Sequence, residues 1–366
     1  MRIVVIGGYG NFGARICRGL APDPSLQVIA TGRNPSSAPG DFEASHIETA
    51  ALDITHPQWQ DALRHLSPDL VIHCAGPFQQ QGYEVARAVL ACGAHYIDLS
   101  DGRDFVAGFA AAVNADAVRA SRIAITGAST LPALSSAVVD EFRDRFSLLD
   151  SIDTVIAPGQ HAPRGVATMR AVLSYAGRPF PVWHDGAWQK MYGWMHLERV
   201  RIGSLPARLS AVCDVPDLAL FPSRYPGIRS ARFRAALEVG MQHRALAMMA
   251  SIQRAGISLP IDALAPLMER MAGWFNAAGT GNGGMMVTMA GTAQGEGALT
   301  LRWSVLAPDN HGPEIPCMPA ILLARKLAAG QLSATGAMAC MGLLMLQDFA
   351  PEFAKWGMRT NVEEVR

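Results

Sequence analysis

The chain has 366 residues, half of them apolar, and its 31 basic residues balance 31 acidic ones. That length exceeds one ordinary core and predicts two domains, while zero net charge argues against nucleic acid or another polyanion as partner. With no cationic leader, no apolar stretch long enough for a bilayer, and six cysteines that never pair as Cys-x-x-Cys, a reducing cytoplasmic setting away from membranes is expected.

The first third alternates strand-like and helix-like segments. IVVI (3–6) reads as a short buried strand. From Asn11 the period changes, and Phe12, Ile16 and Leu20 lie four apart, one stripe of a helix. LQVIAT (26–31) is a second strand, and HIETAALDI contains a third that ends near Asp53. PQWQDALRHL reads as a helix with Pro57 in its first turn. A fourth strand, DLVIHCA (69–75), precedes the helix of GYEVARAVLACG, closed by Gly93. HYIDLS and RIAITG complete six strands by Gly127. This alternation predicts an α/β fold with an N-terminal Rossmann-type, doubly wound parallel sheet over residues 1–128.

Beyond that the pattern loosens. LSSAVVDEFRDRF is an amphipathic helix, and SIDTVIAP is a strand. VWHDGAWQ carries Asp185-Gly186 between short apolar runs, a hairpin signal. Helices fit 241–254 and 261–274, and two long strands join at QGEG (294–297). An antiparallel-type α+β domain for substrate and dimer contacts is expected over 129–309. From Pro319 a further helix ends at Gly330, and residues 310–366 are expected to return to the first domain, with substrate in the cleft between the two.

Four glycines fall within seven positions: Gly7, Gly8, Gly10 and Gly13. A strand, then Gly8-x-Gly10-x-x-Gly13, then a helix is the context of a dinucleotide fingerprint, in which backbone and helix N-terminus meet a pyrophosphate. The alternative is a helix packed tightly on a strand. The expected contacts are Gly7, Gly8, Tyr9, Gly10, Asn11, Phe12 and Gly13. NAD enzymes place an acid after the second strand to hold the ribose 2′-hydroxyl. Here Gly32, Arg33 and Asn34 stand instead, which favours NADP over NAD, arginine being suited to a 2′-phosphate. Asp53 and Ile54 end the third strand on the adenine side, and Asp53 reads equally well as a helix cap. Ala75, Gly76 and Pro77 end the fourth strand, where small residues admit the nicotinamide ribose.

The chain resembles the saccharopine dehydrogenase-like oxidoreductases. The carriers are GGYGNFG, HCAGPFQQQG (73–82), CGAHYIDLSDG (92–102), GASTLP (127–132) and RGVATMRAVLSYAGRPF (164–180). The resemblance implies that the glycine loop binds cofactor phosphates and that the Ala75-Gly76-Pro77 turn lies beside the nicotinamide. Ser100-Asp101 replaces the Gly-Glu pair usual after the Tyr-x-Asp segment, and GASTLP lacks the acid often found within it. The resemblance therefore implies fold and cofactor rather than substrate.

Only three of the basic residues are lysines, and the positions four before Lys190, Lys326 and Lys355 are Gly186, Leu322 and Pro351. The Tyr-x-x-x-Lys pair of short-chain dehydrogenases is thus excluded, and no His/Cys spacing suggests a metal. Tyr96 and Asp98, after the fifth strand, are the acid–base candidates; packing and loop-capping roles account for each as readily. Two functions follow: an NADP-dependent oxidoreductase acting on a small molecule, or an NADP-binding sensor without turnover. A homodimer is left open.

Overall fold

The computed structural model describes residues 1–163, 170, 174–257, 267–268, 270–271, 273–295 and 297–365. The helix expected over 261–274 and the 164–173 part of the family-like stretch lie largely outside them.

The chain divides into two compact units, Met1–Leu134 with Glu314–Leu344, and Ser135–Pro313 with Met345–Arg366. In the first unit the order is β1 (Arg2–Ile6), α1 (Asn11–Leu20), β2 (Gln27–Gly32), β3 (Glu48–Ala51), α2 (Trp59–His65), β4 (Leu70–His73), α3 (Glu84–Ala91), β5 (His95–Asp98), α4 (Arg103–Ala120) and β6 (Ile123–Thr126). The central strands are continuous apolar runs with no alternation: Ile3, Val4, Val5, Leu70, Val71 and Ile72 have no exposed surface. A parallel sheet covered by helices on both faces requires that pattern. A seventh strand, Gly336–Ala339, adds to β6 from late in the chain, so the order across the sheet is late strand, β6, β5, β4, β1, β2, β3, all parallel.

The late helix Met318–Ala328 lies on α1 within this unit. Gly19 supplies the notch: a Cβ there would stand 2.5 Å from Ile321 Cδ1. Arg325 Nη2 donates to Gly19 O at 2.8 Å, and Cys317 Sγ lies 3.6 Å from Phe12 O. The expectation for residues 310–366 needs correction, because only 314–344 sit with the first unit. From Met345 the chain belongs to the second, where the last strand, Arg359–Val365, pairs with the hairpin at 283–307.

The second unit begins with α5 (Ser135–Phe142) and β7 (Phe146–Ala157). The hairpin β8 (Pro179–His184) and β9 (Ala187–Tyr192) follows. It turns at Asp185 and Gly186, with φ of 50° and 76°, the left-handed pair a two-residue hairpin needs. Then come β10 (Glu198–Val200), β11 (Arg208–Val212), α6 (Asp217–Arg224), β12 (Ser230–Leu237), α7 (Gly240–Arg254), β13 (Gly283–Ala293) and β14 (Ala298–Ala307). The large sheet runs β10, β11, β12, β7, β13, β14, then the last strand. It is not wholly antiparallel: β12 pairs with β7 in parallel. Residues 158–229 intervene between them, chain enough for a crossover, whereas a short hairpin would force antiparallel pairing.

Candidate cofactor site

The loop between β1 and α1 is shaped by close backbone contacts. Gly8 N donates to Thr31 O at 2.8 Å, tying the loop to β2. A Cβ at Gly8 would stand 2.8 Å from Ala30 Cα, and one at Gly13 only 2.2 Å from Gly7 O. Gly7 has a φ of +78°, and a Cβ there would stand 3.0 Å from Ala75 N. These three glycines are required by the fold alone.

Gly10 differs. It is exposed, has an ordinary φ of −77°, and a Cβ there would meet only Gly7 O at 3.2 Å. No side chain caps α1 and its first turn holds no acid, so the partial positive charge of the helix end is left uncompensated by the protein. An open glycine beside such a helix end fits a pyrophosphate. Tyr9 turns away from this opening: its ring fills the space over Gly32, 2.3 Å from where a Cβ would be, and its hydroxyl donates to Ala50 O at 2.9 Å. Phe12 is half-buried, and Arg15, one turn along from Asn11, donates to the Asn11 side chain at 3.0 Å and pairs with Glu314 at 2.9 Å.

Arg33 is exposed beyond β2 and holds no hydrogen bond or ion pair among the described residues. Asn34 acts locally, its Oδ1 accepting from Ser36 N (3.1 Å) and Ser36 Oγ (2.9 Å). Asp53 does the same for Thr55, accepting from its N at 3.0 Å and its Oγ1 at 2.8 Å. Those bonds, first the backbone one, and the nearby Arg33 charge lower the Asp53 pKa. Ile54 is half-buried beside it. Arg33 and Asp53 share one groove with Leu52, His56, Trp59 and His65.

At the end of β4, Gln81 Nε2 donates to both Ala75 O (2.7 Å) and Pro77 O (3.0 Å), clamping a turn that contains the cis Gly76-Pro77 bond. Ala75, Gly76 and Pro77 are partly or fully exposed along the carboxyl edge of the sheet.

The acid–base candidates are placed otherwise than expected for groups that meet substrate. Tyr96 and Asp98 both have 0% exposure. Tyr96 stacks on Phe109, with centroids 5.8 Å apart, and its hydroxyl lies 3.1 Å from His73 Nδ1. Asp98 Oδ1 accepts from Ser100 N, Thr126 Oγ1 and Gly127 N, each at 2.9 Å, while its main-chain oxygen accepts from Ala128 N at 2.8 Å. The carboxylate thereby fastens the loop after β5 to the loop after β6. Burial pushes its pKa up to about 6 against the opposing pull of those donors. Burial also pushes His73 down to about 4 and Tyr96 well above its usual value. The polar line His73–Tyr96–Asp98 ties the ends of β4, β5 and β6 together from inside. Sequence reasoning missed His73 and Gln81, both inside HCAGPFQQQG. It also missed His56 and Trp59, whose setting on α2 carries no motif.

Among the described residues, no group of three or more His, Cys, Asp or Glu could hold a metal ion, and no helix is long and apolar enough to cross a membrane. All six cysteines are free thiols.

No curated protein matches the sequence. The whole chain superposes on apo saccharopine dehydrogenase (L-Glu forming) from Saccharomyces cerevisiae with a TM-score of 0.71 at 13% identity, covering 100% of both chains. Homospermidine synthase from Legionella pneumophila, in complex with NAD, gives 0.59 at 9% identity over 100% of this chain and 91% of that one. An engineered D-amino acid dehydrogenase bound to NADP+ gives 0.51 at 15% identity over 96% and 98%. These likenesses are of fold. Residues 3–129 match the family model of the saccharopine dehydrogenase NADP binding domain. Over those residues the chain carries a saccharopine dehydrogenase-type NADP binding domain.

Proposed function

We propose that the protein is an NADP-dependent oxidoreductase that moves hydride to or from a small-molecule substrate. The observation that carries this reading is Gly10: alone among the loop glycines it is open, and the packing of the protein does not explain it. Gly7, Gly8, Gly10 and the α1 N-terminus would hold the pyrophosphate, Arg33 the 2′-phosphate, and the 75–77 turn the nicotinamide ribose. Hydride exchange is the chemistry the nicotinamide supplies when bound. Tyr96 and Asp98 act from inside the sheet, holding the loops rather than meeting substrate. Similarity in fold to saccharopine dehydrogenase and to an engineered D-amino acid dehydrogenase supports a dehydrogenase.

The test is a titration of the purified chain with NADPH and NADH followed by cofactor fluorescence. NADPH is expected to bind more tightly, and Arg33→Ala to narrow the difference by roughly tenfold, the worth of a charge-assisted contact. Gly10→Val is expected to abolish binding while far-UV dichroism and melting temperature change little. Equal affinity for the two cofactors in the unmodified protein overturns the NADP assignment. Tight NADPH binding without oxidation across carbonyl and imine substrate panels favours the binding-only alternative.

A further inference from the structure

The groove at the carboxyl ends of β2 and β3 carries side chains that the glycine loop does not account for. Its volume is about 650 Å³, and it runs from Arg33 past Asp53 to α2. Both acids on its wall are already engaged, Asp53 by Thr55 and Asp61 by Arg64 at 2.5 Å. Arg33 beside them holds no hydrogen bond or ion pair among the described residues. His56 Nδ1 accepts from Gln58 N at 3.2 Å, which makes Nε2 the hydrogen-bearing nitrogen of the neutral ring. The imidazole thus offers a donor whether or not it is charged. Trp59, half-buried at the start of α2, is the one indole lining the groove, which Ala51 and Ala62 also line.

An aromatic ring, a fixed N–H donor and a guanidinium lining one groove, with both acids hydrogen-bonded to their own neighbours, suit a planar base joined to a phosphate. We infer that Trp59 is the platform on which adenine stacks and that His56 joins Arg33 on the 2′-phosphate. This groove then recognises a 2′,5′-ADP moiety on its own, an inference that rests on the NADP reading and deepens it. The ring gives affinity for any adenosine, since stacking is indifferent to the ribose substituent. His56 and Arg33 give the preference for the extra phosphate.

Isothermal titration of the full chain with two probes, 2′,5′-ADP and 5′-ADP, separates these roles. Trp59→Ala is expected to weaken both probes alike, by at least about fivefold, the lower end of the range of one base–aromatic stack. Trp59→Phe, which keeps a ring and guards against misfolding, should restore most of that loss. His56→Ala should weaken 2′,5′-ADP by several-fold and leave 5′-ADP unchanged, and quenching of Trp59 fluorescence should accompany binding of either probe. Unchanged affinity for both probes in Trp59→Ala, in a protein whose NADPH binding Gly10→Val abolishes, overturns this inference and leaves the cofactor reading standing. An unmodified chain that binds neither NADPH nor NADH overturns the cofactor reading itself.

Discussion

Asp98 holds a carboxylate where water cannot reach it, and that position has a cost that depends on pH. Its pKa in the folded chain is raised to about 6, with burial the leading cause. The unfolded value is about 3.9. A raised acid binds more protons folded than unfolded, so its contribution to stability is fully present below about pH 4 and is lost as pH rises through about 6. The size is on the order of 2–3 kcal/mol. Asparagine at the same place carries no charge to bury. Its oxygen can still accept from Ser100, Thr126 and Gly127, and its amide can donate to the Tyr96 hydroxyl. Asp98→Asn should therefore lack this loss. In urea melts at pH 4, 5, 6 and 7, stability of the unmodified chain relative to Asp98→Asn should fall across that range and level off above it. His73 acts in the opposite sense: its pKa, lowered by burial to about 4, gives stability present above about pH 6.5 and lost as pH falls. It is common to both proteins and to first order cancels in the difference. A flat difference curve would show that Asp98 titrates in the folded chain as it does unfolded.

Elements were legible where burial is uniform and obscure where it is not. β1, β4, β5 and β6 announce themselves because both faces are covered and the runs are short and apolar. The glycine loop was legible because a backbone that must be approached closely leaves few residue choices. The strand Arg359–Val365 is exposed almost along its length, and its two valines, Val362 and Val365, sit among polar residues without alternation, so nothing marks it until its pairing with β14 is seen. Gly336–Ala339 is a strand only because β6 offers an open edge and Asn114 Oδ1 accepts from Ala337 N at 2.9 Å. The burial of Asp98 was equally hidden, since DLSD reads the same whether its side chains face water or turn inward. The late helix was readable as a helix, but its seat on α1 is set by one small residue, Gly19. Alanine there gains about 1 kcal/mol of helix propensity, yet its Cβ would stand 2.5 Å from Ile321 Cδ1. Ile321→Ala removes a side chain only 4% exposed and should cost about 2–4 kcal/mol. Together the two changes should cost less than their sum by at least about 0.5 kcal/mol, because the new methyl fills part of the vacated space. A double-mutant cycle by chemical denaturation measures this coupling, and strict additivity would mean the two residues do not share a contact in solution.

At the scale of the whole molecule, each compact unit is assembled from two separate stretches of sequence, and this decides what can be cut. The first unit without Glu314–Leu344 would leave β6 as an open edge next to solvent, a row of unpaired backbone groups that invites association. It would also uncover the face of α1 on which Ile321 rests. Within the late stretch Ile315, Met318, Ile321, Leu323 and Leu344 are all buried. Large apolar side chains contribute about 1.5–3 kcal/mol each when buried, so their combined loss rivals the 5–15 kcal/mol by which a domain is typically stable. A fragment of residues 1–134 should consequently aggregate or melt without a cooperative transition, although it contains the entire glycine loop and all of 3–129. The late helix touches residues 130–134, so a short Gly/Ser linker can join Leu134 to Glu314. That joined fragment should fold cooperatively and bind NADPH nearly as the full chain does, because every proposed cofactor contact lies within it. Thermal melts and a fluorescence titration on the two fragments distinguish these outcomes. Cooperative folding and full NADPH affinity in 1–134 alone would show that the late strand and helix ornament a sheet that is already complete.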